Sequence, residues 1–342
     1  MESTSPIRGI DPLSDVLKAV RLSGAIFFLT DAGSPWSISL PAAATFRDVV
    51  TPAPQHLISY HVVTRGTCWC TLAGQPPLRL EAGDVVVIPH GDAYLMSSAP
   101  ALPSQISDED AVQVLRQLAR RQLPFVLREG GEGEERLNLL CGFLACDLLP
   151  FNPVLASLPR LVHVRPPAEP QRDRLDHLMD FVMSESAGRE AGSECVLLRL
   201  SEVMFVEVVR RYLSTLPDRG GWLAAMRDPV AGRALALLHG DPSREWTLEV
   251  LARETGVSRT LLAERFSATT GEPPMQYLKR WRMQIAAGLL AGTEAKVAQV
   301  ALRVGYASEA AFSRAFKKEV GVPPSRWRSE RASSLGESLV RA

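Results

Sequence analysis

Between Ile26 and about Val164 the apolar positions come in short runs or alternate with polar ones, as in "AIFFL", "LISYHVV", "CWCTL", "DVVVIP" and "LLCGFLAC". Pro and Gly clusters separate them, a texture that predicts strands. "HVVTRGTCWCTL" predicts a hairpin turning at Arg65-Gly66. "LEAGDVVVIPHGDAYLM", residues 80–96, predicts a second one, with Gly83-Asp84 at its start and Pro89 and Gly91 closing its strand. A helical stretch near Asp110–Gln122 and a loop, "REGGEGEER", interrupt the strands. After "RPPAEP" the period lengthens. Leu175, Leu178, Met179 and Val182 share one helix face, and Leu197, Leu200, Val203, Met204, Val208 and Tyr212 share another. "STLPDRGG" predicts a hinge, and from Asp228 onward the pattern is one of short helices, the first opened by Asp228-Pro229 as cap and N1. A short helix in "DPLSDVLKAVRL" precedes the strands, and a loose tail, "SERASSLGESLVRA", follows the last helices.

Within the helical part the chain repeats itself. "GVSRTLLAERFSATTGEPP" (Gly256 to Pro274) matches "GYASEAAFSRAFKKEVGVPP" (Gly305 to Pro324). Phe266, Gly271 and Pro273-Pro274 recur 50 residues later as Phe316, Gly321 and Pro323-Pro324, while Ala252 and Gly256 recur at 49 as Ala301 and Gly305. Each copy begins with an apolar helix, "LEVLAR" or "VAQVALR", ended by a Gly that tolerates the left-handed cap. A Ser then caps a second helix, whose Leu262 and Phe266, or Phe312 and Phe316, pack back onto the first. This is the anatomy of a helix-turn-helix, with the outer face of the second helix free to enter a major groove. "PPMQYLKRWRMQIAAGLLAG" joins the copies as one helix of about 17 residues, ~25 Å long. Such a strut suits two reader helices lying about one DNA turn, ~34 Å, apart.

Composition changes the picture little; charge changes it more. The 342 residues are 46% hydrophobic and 22% charged, which fits a soluble globular chain of two or three domains. No apolar run is long enough to span a membrane and no signal peptide is visible at the start, so a cytoplasmic location is expected. The net charge of zero hides an asymmetry: residues 227–328 hold 16 Lys and Arg against 10 Asp and Glu, whereas residues 1–226 hold 20 against 26. The basic excess sits on the repeat. Five cysteines (68, 70, 141, 146 and 195) show no paired metal spacing and are expected to be reduced thiols.

At the repeat the residues resemble the DNA-binding domain of the AraC/XylS family of bacterial transcription regulators, through "LARETGVSRTLLAERF", "RMQIAAGLL" and "VALRVGYASEAAFSRAFKKEVGVPPSRWR". The resemblance implies that Arg259, Thr260, Ala263, Glu264 and Ser267 face one groove, and that Glu309, Ala310, Ser313, Arg314 and Lys317 face the next. Arg314 is the reader expected at a guanine, or a phosphate clamp. Glu264 stands where relatives often carry a longer polar or basic residue; it either accepts from cytosine N4 or weakens that half of the contact.

The front half resembles the cupin-type sensor of one AraC subgroup, related to regulators that respond to reactive chlorine or electrophiles. "YHVVTRGTCWCTLAG", "GDVVVIPHGDAYL", "LLCGFLACD" and "FNPVLASLP" carry the likeness. Metal-dependent cupins use a His-x-His and Glu set with a later His; here His61 has Val63 two residues on, and Tyr94 stands at the late position, so no metal and no cofactor are expected. His61 and His90 are expected as hydrogen-bonded structural residues. Trp69 and Tyr94 line an effector pocket or pack a core. Cys68 and Cys70 share a strand face; Cys141 and Cys146 face opposite ways; each is either a redox sensor, as the resemblance implies, or a small buried hydrophobe. Cys195 is expected to be buried.

The fold class expected is α+β with two domains: a cupin-like antiparallel β-barrel with connector helices, then an all-α double helix-turn-helix. The divisions are 1–170 (sensor), 171–226 (helical connector), 227–328 (DNA-binding, with helix-turn-helix units at 245–267 and 294–318 and the linker helix at 275–291) and 329–342 (tail). The helices at 172–183 and 194–213 either join two subunits of a homodimer or form an intramolecular bundle. The expected function is sequence-specific transcription regulation, as of an activator, without enzymatic activity. Its partners would be an operator in double-stranded DNA, RNA polymerase and a small-molecule or oxidant effector, with no membrane. The alternatives are a metal-dependent cupin enzyme fused to a DNA-binding domain and a DNA-binding adaptor with a structural barrel. A DNA-repair alkyltransferase is excluded by the lack of a four-cysteine zinc spacing.

Overall fold

A computed structural model describes residues 11–51, 56–100, 102–147, 150–166, 174–188, 190–215 and 221–330. The tail beyond 330, most of the "STLPDRGG" hinge and most of "RPPAEP" lie outside them. The chain divides into two compact units, each described by itself.

In chain order the elements begin with α1 (Pro12–Ala19), β1 (Ser23–Gly33), β2 (Ser37–Leu40), α2 (Arg47–Val50), β3 (His56–Arg65), β4 (Thr67–Leu72), β5 (Leu78–Glu81), β6 (Val85–Ile88) and β7 (Tyr94–Ser97). The insert forms α3 (Asp108–Ala119), followed by β8 (Val126–Gly130), β9 (Arg136–Cys146), α4 (Pro153–Ser157) and β10 (Val162–Val164). The rest is helical: α5 (Arg174–Gly188), α6 (Ser193–Thr215), α7 (Trp222–Ala225), α8 (Ala231–Gly240), α9 (Leu248–Thr255), α10 (Arg259–Thr270), α11 (Pro274–Gly292), α12 (Val297–Arg303) and α13 (Glu309–Val320).

One unit comprises residues 22–146 and 159–215. Its strands form a six-stranded sheet, β10-β6-β3-β9-β1-β8, and a four-stranded sheet, β2-β7-β4-β5. All pairs are antiparallel except β1 with β8. Burial alternates along β4, with Cys68, Cys70 and Leu72 inward and Trp69 half-buried on the other face, as a period-two strand requires. Phe28, Trp36, Cys68, Leu80, Met96 and Phe143 are among the side chains of one shared core. Both expected hairpins are corrected. Gly66 does turn the chain with φ 83°, but β3 pairs with β6 and β9, whereas β4 pairs with β5 and β7 in the other sheet. The same holds for β6 and β7, which also lie in different sheets. These corners carry the chain from sheet to sheet. An apolar run reports that a strand is buried, not which neighbour it pairs with. α5 and α6 pack on one another, and α6 also lies against β1 and β10, where Glu202 accepts from the Gly24 backbone N–H at 3.0 Å.

The other unit comprises residues 1–21, 147–158 and 216–342, so two segments bordering the barrel in sequence pack with the C-terminal helices. This differs from a simple division at 170 and 226. The reason is visible on α11. Gln284, 2% exposed, donates from Nε2 to the Ala19 carbonyl at 2.8 Å and accepts at Oε1 from the Phe151 N–H at 2.9 Å. Arg21 donates to the Gly288 carbonyl, the Arg280 guanidinium lies 4.2 Å from the centre of the Phe151 ring, and Asp147 N–H donates to Val20 O at 2.7 Å. Buried backbone groups need such partners. α8 begins at Ala231 rather than at Pro229, with the Asp228 carboxylate accepting from the Val230 and Ala231 N–H groups.

Candidate nucleic-acid interface and barrel cavity

The two repeat copies fold through the same hydrogen bonds. At the first turn Gly256 takes φ 76°, and Val257 N–H reaches back to Ala252 O at 3.1 Å; at the second, Gly305 takes φ 80° and Tyr306 N–H reaches Ala301 O at 2.9 Å. This is the bond by which a left-handed residue closes a helix. Ser258 and Ser308 then cap α10 and α13, each hydroxyl accepting from the third N–H onward at 3.2 Å. Leu262, Phe266, Phe312 and Phe316 are fully buried. Gly271 and Gly321 close the second helices in left-handed conformations. The change of offset from 49 to 50 falls at the turn, where Tyr306-Ala307 replaces the single Val257.

The strut between the copies, α11, has 19 residues and so spans ~28 Å. It is tied to both sides. Tyr277 is buried among Phe266, Trp222 and His239, taking hydrogen bonds at its hydroxyl from Trp222 Nε1 at 2.8 Å and pairing with His239 Nε2 at 2.7 Å. Met283, Ala286, Ala287 and Leu290 enter the core built on Phe312, Phe316 and Trp327. Arg282 donates to the carbonyls of Pro242 at 2.7 Å and Arg244 at 2.8 Å, and sits against the Gly305 turn, while Arg328 donates to Leu290 O and Ala295 O. Sequence reasoning missed Arg282, Gln284 and Arg328, because a charged or amide residue on a helix reads as solvated surface until its carbonyl partners are placed.

What remains outward on α10 and α13 is mostly polar. Arg259, Thr260, Glu264, Glu309, Ala310, Arg314 and Lys317 are exposed, and Ala263, Ser267 and Ser313 are half-buried on the flanks of the same faces. Arg259 is held by Glu249 at 2.6 Å, an exposed pair that competing phosphate can replace. The side chains of Arg314 and Lys317 have no hydrogen-bond or ion-pair partner among the described residues. Leu261, 43% exposed on α10, is an apolar residue on this surface that the sequence reading did not assign.

The barrel residues divide differently from expectation. His61 and Cys141 do meet: His61 Nδ1 lies 3.1 Å from Cys141 Sγ, and His61 Nε2 lies 2.6 Å from the Tyr94 hydroxyl. A neutral imidazole satisfies both contacts, donating from one nitrogen and accepting at the other. Burial keeps it neutral, lowering the His61 pKa to about 3. Burial also pushes the Cys70 and Cys141 thiols up to about 12, and Cys68 higher. His61 and Cys141 line a cavity of about 70 Å³ with Phe28, Trp36, Met96 and Leu139, closed on one side by α3 through Ala111, Val114 and Leu115. Tyr94, Cys68 and Cys70 are buried beside it in the core; Trp69 points to the other face of β4, Cys146 ends β9, and His90 is exposed at a corner. The reading of Cys195 as buried is corrected, since it is exposed on α6. Val203, assigned to the apolar face of α6, is 47% exposed. Among the described residues no three His, Cys, Asp or Glu side chains converge as a metal would require, and no helix is long and apolar enough to cross a membrane.

A duplicated helix-turn-helix in the same chain as a β-barrel unit defines a DNA-binding regulator with an appended barrel domain. Comparison with known proteins agrees. Residues 11–214 match the Cupin family and residues 251–330 a Helix-turn-helix domain family. The chain is 34% identical to an AraC-like transcription regulator of Streptomyces antibioticus, over 93% of this chain and 98% of that one. It is 26% identical to the HTH-type transcriptional regulator AlkR of Acinetobacter baylyi, over 94% and 100%, and 24% identical to the RCS-specific activator RclR of Escherichia coli, over 95% and 99%. Among solved structures, the DNA-binding domain of AdpA in complex with a target DNA is similar at 29% identity, covering 31% of this chain and 95% of that one, with a TM-score of 0.30. The chain belongs to the AraC-type transcription regulators that join an N-terminal cupin domain to a C-terminal helix-turn-helix domain, and it is a DNA-binding transcription regulator.

Proposed function

We propose that this regulator reads its operator with both α10 and α13, in successive major grooves on one side of the duplex, and that an effector in the barrel unit sets how it does so. The observation that carries the reading is the exposed, largely polar face on each copy, with Arg314 and Lys317 unpaired on the second, both copies packed on one continuous strut. Arg314 reads a guanine and Lys317 neutralises phosphate; Arg259, Thr260, Ala263, Glu264 and Ser267 serve the first groove, and Glu309, Ala310 and Ser313 flank Arg314 in the second. Bound at a promoter, the protein would act through RNA polymerase, in the cytoplasm. Phe181 and Val203, 49% and 47% exposed on the α5–α6 pair, support a homodimer through that surface.

The effector reading favours a small molecule over an oxidant. Oxidation proceeds through thiolate, and the buried thiols at 68, 70 and 141 are held protonated. Both ring nitrogens of His61 are engaged, leaving it no lone pair for a metal, which supports a non-catalytic barrel. Band shifts on operator DNA across a salt series test the reading. Arg314→Ala should cost about 10- to 100-fold in affinity for the operator alone, while Lys317→Ala should weaken all sequences evenly and reduce the salt slope by about one. Affinity indifferent to salt and to both substitutions would defeat it.

A further inference from the structure

The cavity wall is almost wholly apolar, with one exception that the barrel does not use. His61 bonds to both Cys141 and Tyr94, so the polar atoms on the floor already have partners. Glu129, on β8, lines the same space, is half-buried, and has no hydrogen-bonding or ion-pairing side chain against it among the described residues. Loss of water around its carboxyl raises its pKa, and no neighbouring charge offsets that. A lone carboxylate at the edge of an apolar space is costly, and a cation brought against it relieves the cost. An anion there would meet repulsion and find no donor. The volume, about 70 Å³, is comparable to that of about two or three waters in the liquid, which suits a slender chain rather than a sugar or a fused ring system. Met96 and α3 border it, and the unbranched Met side chain adapts to the shape of an occupant.

We propose that the barrel cavity binds a small primary amine with an apolar chain, its ammonium pairing with Glu129 and its chain lying against Trp36, Met96 and Leu115. This inference rests on the reading that the barrel unit is the effector-binding half, and it adds the ligand's charge and shape.

Thermal unfolding and calorimetric titration of the full chain with propylamine, propanol and propanoate test it. Propylamine should raise the midpoint by roughly 2–4 °C at saturation, propanol less, and propanoate not at all. Glu129→Gln should make propylamine no better than propanol while leaving propanol binding in place, a split that a merely structural role for Glu129 would not give. Ala111→Leu, which fills the space from α3, should abolish the propylamine shift; should that variant not fold, Leu115→Ala, which widens the space, should enlarge it. No shift with propylamine, an equal shift with propanoate, or an amine preference that survives Glu129→Gln overturns the proposal. Band shifts on the same samples keep the two readings apart: DNA binding without amine binding defeats the ligand assignment alone, and the reverse defeats the regulator reading.

Discussion

At the scale of single residues, burial and backbone angle decide what each position tolerates. The neutral His61 ring is one case. Its pKa in the fold, about 3, lies below the unfolded value of 6.5, so its stabilising contribution is complete above pH 6.5 and is lost as pH falls toward 3. The slope is about 1.4 kcal/mol per pH unit, which makes the barrel about 2 kcal/mol less stable at pH 5 than at pH 7 on account of this ring. Denaturant unfolding of wild type and His61→Gln at the two pH values isolates that portion: the variant should lose less stability on acidification by roughly this amount. The two turn glycines make a second case. Both hold left-handed backbone, so Ala at either costs about 1–2 kcal/mol. A Cβ on Gly256 meets nothing within 4 Å, whereas one on Gly305 would stand 2.5 Å from the Ser243 carbonyl oxygen and crowd Arg282. Gly305→Ala is therefore expected to lower the unfolding midpoint clearly more than Gly256→Ala, although the two residues are equivalent in the repeat.

Elements show where sequence suffices and where it does not. The helix-turn-helix copies were legible because everything that makes them is local: a Gly at the left-handed cap, a Ser three residues before the N–H it satisfies, two aromatic or aliphatic residues one turn apart. Sheet pairing was not legible, since β3 and β4 are contiguous in sequence yet belong to different sheets. Nor was the seating of α1 and residues 147–158 on α11, which depends on one amide, Gln284, finding a carbonyl 265 residues before it and an N–H 133 residues before it. Nothing in the amphipathic pattern of "RMQIAAGLL" distinguishes that glutamine from a solvated one. Of the candidate site, the outward positions of α10 and α13 were legible from spacing and resemblance, but the cavity lining was not: Glu129 and Ala111 come to line one cavity only through folding. Gln284→Leu conserves most of the volume and strips both partners, leaving the buried Phe151 N–H and the half-buried Ala19 O without the amide. The expected cost is about 2–4 kcal/mol. Amide exchange at Phe151 should accelerate in the variant by more than at Phe312, in the core of the second copy on the same strut; equal acceleration at both would mean that the helix bundle as a whole, and not this seat, had loosened.

For the whole molecule, the duplication has a geometric consequence that one helix-turn-helix lacks. On the proposed reading, two reader helices joined by the continuous α11 would bind as one unit, the second at the effective concentration set by a rigid strut rather than by a tether. Each half alone would be a weak, salt-sensitive contact; together they would discriminate over two adjacent groove segments. A footprint of the wild-type protein on its operator should then show two protected segments about 10 bp apart on one face of the duplex. Replacing Arg314 and Lys317 together by Ala should erase one segment and leave the other in place at higher protein concentration. Replacing Arg259 and Thr260 should do the converse, more weakly, because Arg259 must first leave Glu249 and because Glu264 contributes no positive charge to that groove. The asymmetry is a direct outcome of the charges on the two helices: α13 carries Arg314, Lys317 and Lys318, whereas α10 carries Arg259 and Arg265, the latter bound to Asp228 at 2.5 Å. Equal loss from both double substitutions would mean that the copies share the work evenly, and that the free cations of α13 do not set the order of binding.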